Sequence, residues 1–142
     1  MCAFDRRPFF TNTEIYEIIR TELLRSAASN HVQIIAYCFM PDHLHLLAEG
    51  YLESADVSLF ARAFRQRSGY MFRRRWRQRL WQEGYYDRVL RGSDDTLEVA
   101  RYIIANPVRA GLCEGAIEYP FSGSGKYSLL EIVQSLSSPA LG

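Results

Sequence analysis

A 142-residue chain that is 48% hydrophobic and 13% aromatic can bury one sizeable core, which excludes a disordered chain and argues for about one domain. No apolar run approaches the roughly 18 residues of a membrane span, so no membrane association is expected. Cys2, Cys38 and Cys113 are too scattered for a disulfide framework or a CxxC zinc site, no apolar segment follows Arg6 and Arg7 as it would in a signal peptide, and a cytoplasmic setting is the expectation.

After a strand remnant at "MCAF", the spacing of Ile15, Ile18, Ile19 and Leu23 predicts a first helix over residues 11–30, with Thr11 or Asn12 as its cap. "VQIIAYCFM" (32–40) is β-rich and ends at the turn pair Pro41-Asp42. Residues 43–48 alternate: Leu44, Leu46 and Ala48 on one face, His43, His45 and Leu47 on the other. Together they predict a tight antiparallel pair. Val57, Phe60, Phe64 and Met71 give the stripe of a second helix, about 54–75, with an irregularity at Ser68-Gly69. Tyr85 to Leu90 reads as a strand. A third helix begins at Ser93, Asp94 or Asp95, where Asp95 and Glu98 have capping-box-like spacing, and stops at Pro107. Its buried stripe is Leu97, Ala100, Ile103 and Ile104. Beyond it a short helix is expected at residues 129–136. The order is an α+β pattern, and a ferredoxin-like antiparallel sheet with packed helices fits it.

The net charge of +1 hides an asymmetry. Ten arginines between Arg62 and Arg91 face only Glu83 and Asp87, and Lys126 is the only lysine. A planar fork of donors matches phosphate oxygens, so such a field suits a nucleic-acid backbone; it also suits a plain solvated helix face. Trp76 and Trp81 lie among these arginines, either as core or as stacking platforms for bases.

His43 and His45 stand two apart on one strand face, with Cβ atoms about 7 Å apart, and can converge on one divalent ion or sit as core imidazoles. A third ligand would come from Asp42, Glu49 or the flank of the third helix that carries Glu98, Tyr102 and Asn106. Tyr102 lies off the centre of its helix stripe, as a boundary tyrosine or as a nucleophile. His31 reads as a loop residue. Tyr85 and Tyr86, adjacent on a strand, point to opposite faces and cannot act as a tandem pair.

"YCFMPDHLHLLAEG", "LWQEGYYDRVLR" and "ARYIIANPVRAGL" together resemble the three signature blocks of the REP-associated tyrosine transposases, a branch of the IS200/IS605-like family of HUH single-strand DNA transposases. The resemblance runs from about Phe4 to Ser124, which sets a transposase domain at 1–125 and a weakly specified tail at 126–142. It implies the HUH endonuclease fold. It implies His43 and His45 as metal ligands, Asn106 as the polar residue completing the site, and Tyr102 as the catalytic tyrosine. The implied cofactor is Mg²⁺ or Mn²⁺. The implied chemistry is attack by Tyr102 on a phosphodiester, leaving a 5′-phosphotyrosine and a free 3′-OH. The implied partner is single-stranded DNA carrying a REP-like hairpin, met by Arg62, Arg65, Arg73, Arg74, Arg75, Arg77 and Arg79, in a bacterial, nucleoid-associated protein acting as monomer or homodimer. Relatives carry a fuller first strand, so this chain reads as truncated there. The competing readings are a domesticated DNA-binding module of the same fold and a phosphodiesterase in which water attacks.

Overall fold

The computed structural model describes residues 1–85 and 95–135. The expected strand at Tyr85 to Leu90, the caps at Ser93 and Asp94, and Tyr86, Arg88 and Arg91 fall wholly or mostly outside those residues.

Helix α1 is Thr13–Ser29, and the Asn12 side chain accepts from the Ile15 amide at 3.0 Å, as its sequence predicts. Strands β1 (Val32–Met40) and β2 (His43–Gly50) form the antiparallel pair, with Met40 opposite His43 across Pro41-Asp42. Helix α2 is Val57–Trp76, capped by Asp56 and closed by Arg77 in the left-handed region at φ 58°. It runs unbroken through Ser68-Gly69, where an irregularity was expected. Ser68 is satisfied without leaving the helical backbone, its hydroxyl donating to Phe64 O at 2.6 Å and accepting from Trp81 Nε1 at 2.9 Å. The buried stripe is therefore Phe60, Phe64, Ser68 and Phe72; Val57 and Met71, placed on it by apolarity, stay largely exposed. Helix α3 is Thr96–Ile104, α4 is Asn106–Arg109, β3 is Ser122–Gly123 and α5 is Leu129–Gln134.

The sheet order is β2-β1-β3, all antiparallel. Beyond β2 two further chain segments add single bridges, Cys2 to His43 and Ala3 to Trp81. The residue 80–82 segment, the N-terminal segment, β2 and β1 thus lie side by side in the strand order of a ferredoxin-like fold, the first and last of the four contributing single bridges among the described residues. Ala3 N donates to Asp42 O at 2.9 Å, Phe4 N to Leu80 O at 2.8 Å, and Gln82 N to Cys2 O at 2.9 Å. The segment at residues 1–4 is short but central, and it borders His43 directly.

Strand β1 is buried on both faces, which is why it reads as a continuous apolar run. A register shift between Ile34 and Ala36 exchanges its faces. Val32, Ile34, Tyr37 and Phe39 join Leu44, α1 and α2 in one core. Ile35, Ala36, Cys38 and Met40 join α3, Tyr119 and Ile132 in the other. Residues past 106 build much of this second core. Tyr119 donates to Phe39 O at 2.6 Å, and Ser128 caps α5 with a capping box completed by Glu131, holding Ile132 fully buried.

Candidate active site

Cross-strand pairing decides which core the histidines face. His43 is opposite Met40 and His45 opposite Cys38, both residues of the second core. The histidines therefore point to the sheet face that α3 covers, while Leu44 and Leu46 point to the face of α1 and α2, as the alternation predicts.

The two rings meet edge to face, and His43 Nε2 stands 3.0 Å from His45 Nε2. Two donors bound at ~2.1 Å in neighbouring positions of an octahedron are about 3 Å apart, so the pair suits a small divalent ion. Asp42 Oδ1 lies 2.7 Å from His43 Nδ1. Accepting a proton there leaves Nε2 as a free lone pair, the usual support of a ligating histidine. Burial works to raise the Asp42 carboxyl, but hydrogen bonds from Arg6 and His43 outweigh it and hold it below the usual carboxylate range. Burial, then the neighbouring His43, with smaller contributions from the N-terminal amine and Arg109, push His45 down to about 4. Near neutral pH His45 is uncharged and able to donate a lone pair.

Glu49 is drawn off to Lys126 at 3.5 Å. Among the described residues no cluster of three His, Cys, Asp or Glu side chains forms.

Asp95 caps α3 by accepting from the amides of Leu97 and Glu98. Its Ala100, Ile103 and Ile104 are buried against β1, which leaves Tyr102 on the outer flank, 63% exposed. Pro107 has no N–H to continue the ladder, and the helix breaks at Ala105 before resuming as α4. The break leaves the Tyr102 carbonyl in the last turn of α3, where it accepts from Arg109 Nη2 at 2.7 Å. The same Nη2 reaches Asn106 Oδ1 at 2.9 Å. The Arg109 guanidinium lies 3.8 Å from the centroid of the Tyr102 ring. Among the described residues, Asn106 Nδ2 is buried without a hydrogen-bond partner. Tyr102, Asn106 and Arg109 thus form one cluster on α3 and α4, the helices that pack over the histidine side of the sheet, and among the described residues no hydrogen bond joins Tyr102 or Asn106 to either histidine. Arg109 was missed by sequence reasoning, although positions 102, 106 and 109 are spaced i, i+4, i+7 along one helix face.

The arginines occupy the opposite side of the sheet. Arg62, Arg65, Arg73 and Arg79 line a groove of about 780 Å³ whose floor is Gly69, Tyr70, Leu80 and Trp81. Arg73, Arg74 and Arg77 line a second hollow that shares Tyr70, which is 63% exposed. Arg75 is spoken for: it pairs with Glu14 and lies over Trp76. Trp81 is core, and Trp76 stacks on Phe72 with ring centroids 4.9 Å apart.

The family model described as "Transposase IS200 like" matches residues 1–106. The chain belongs to the IS200-like transposase family. It is 26% identical over 103 residues to a Haemophilus influenzae protein named as a REP-associated tyrosine transposase, a match covering 63% of this chain. The chain spans 57% of the length of that curated relative. Its fold matches that of a REP-associated tyrosine transposase solved with a REP hairpin, at TM-score 0.71 and 21% identity, over 85% of this chain and 71% of that one. The α3 and histidine faces of this family member thus sit on a fold found in a hairpin-bound transposase. Among the described residues, no helix is long and apolar enough to cross a membrane.

Proposed function

We propose that this chain nicks and rejoins single-stranded DNA beside a REP-like hairpin, with Tyr102 as the nucleophile. The observation that carries the reading is the facing of His43 and His45 Nε2 at 3.0 Å, on the sheet face covered by the helix that bears Tyr102. Mg²⁺ or Mn²⁺ held by His43 and His45, with Asn106 as the neighbouring amide, would supply charge neutralisation at the scissile phosphate. The Tyr102 Oη–P bond forms as the P–O3′ bond breaks. The phenol proton leaves to solvent and the 3′ oxygen takes one up. The phosphodiester is conserved as a 5′-phosphotyrosine, so the 3′-OH of another strand can reverse the step without ATP. Arg62, Arg65, Arg73 and Arg79 hold the DNA backbone, and Tyr70 offers a face to an unpaired base.

The test is a denaturing gel after incubation with a hairpin-bearing single strand and Mn²⁺. A protein–DNA adduct formed by the wild type and absent in Tyr102→Phe supports the reading. Cleavage that survives Tyr102→Phe assigns the attack to water, and binding with no cleavage identifies a DNA-binding module.

A further inference from the structure

We propose that Arg109 holds the Tyr102 ring in place and presents its remaining donors to the scissile phosphate, an inference that rests on Tyr102 being the nucleophile. Three contacts fix the guanidinium: its Cζ over the Tyr102 ring, 3.8 Å from the centroid, and Nη2 shared between Tyr102 O at 2.7 Å and Asn106 Oδ1 at 2.9 Å. Both hydrogen bonds use one nitrogen. Among the described residues, Nη1 and Nε have no protein hydrogen bond, and Arg109 is exposed. An arginine anchored on one edge and open on the other is a fork for two phosphate oxygens. The anchor ties that fork to the nucleophile's own ring, so a bound phosphate lies beside the Tyr102 hydroxyl. Tyr102 is 63% exposed, and loss of the guanidinium over its ring would cost orientation at the reacting atom.

The experiment measures single-turnover adduct formation on a hairpin-bearing single strand with Mn²⁺, alongside DNA affinity and circular dichroism. Arg109→Ala should slow adduct formation by about tenfold to a hundredfold while DNA affinity stays within about twofold. Added methylguanidinium should restore part of the rate, which a structural defect would not allow. Arg109→Lys should recover little, because an ammonium cannot lie flat on the ring. A Tyr102-dependent adduct forming in Arg109→Ala at the wild-type rate would overturn the inference and leave the proposed function standing. Should the wild type form no Tyr102-dependent adduct, the function itself fails. The phosphate contact is then decided separately by ¹⁵N NMR of the arginine side chains in EDTA. The Arg109 Nε signal, identified by its loss in Arg109→Lys, should move when the oligonucleotide is added; a signal that stays put overturns the contact.

Discussion

Asp42 Oδ1 sits 2.7 Å from His43 Nδ1, while Arg6 Nε holds the other carboxylate oxygen at 2.8 Å. The turn that joins β1 to β2 therefore also fixes which nitrogen of His43 faces His45. His43→Ala should abolish Mn²⁺-dependent cleavage and leave most DNA affinity, since the arginine groove lies on the other side of the sheet. Asp42→Asn should be milder: Mn²⁺ affinity measured by calorimetry falls about 10–100-fold, and cleavage returns at high Mn²⁺. Cleavage retained in His43→Ala would remove this residue from the ligand set.

His45 titrates near 4 in the folded chain against an ordinary 6.5. Between those values the unfolded chain binds the proton and the folded chain does not, so this residue's contribution to stability falls as pH drops from about 6.5 to about 4. Thermal melts without metal should show the wild type losing more stability between about pH 7 and about pH 4.5 than His45→Gln does. Equal losses would mean that His45 is not held neutral by its surroundings.

Ile132 on α5 is fully buried beside Ala100, Ile103 and Ile104 of α3. Ile132→Ala should cost about 2–4 kcal/mol, read as a lower denaturation midpoint. It should also reduce adduct formation more than DNA binding, because α3 carries Tyr102. An unchanged midpoint would show that residues past 125 add nothing to the domain.

Arg73 lines both hollows on α2, whereas Arg75 already pairs with Glu14. Arg73→Ala should lower the slope of log affinity against log salt by about one unit. Arg75→Ala should change the slope less and instead loosen α1 against α2. A larger slope change for Arg75 would reverse the assignment of the DNA-binding face.

Much of this was legible locally. The caps Asn12 and Asp95, the β1 run, the Pro41-Asp42 turn and the alternation through His43, Leu44 and His45 are set by neighbours in sequence, so they can be read from it. The C-terminal half of the α2 stripe differs from the apolar pattern because Ser68 holds a core position through a hydrogen bond to Trp81, thirteen residues away. Arg109 went unnoticed because its pairing with Tyr102 and Asn106 spans the junction of α3 and α4, whose geometry the helix periodicity does not give.

By itself the sequence determined the periodicity of each element and therefore the side-chain sets on each face: two histidines together, and a tyrosine and an asparagine one turn apart. Only the tertiary structure decided which faces meet. The register shift in β1 exchanges its two faces, so cross-strand pairing with Cys38 and Met40 turns the histidines toward α3 rather than toward α2. That choice also separates them from the arginine groove by the thickness of the sheet. The physical reason is that a strand has two faces and each must be buried against something, and which helix covers which face is a matter of non-local packing that no local pattern encodes.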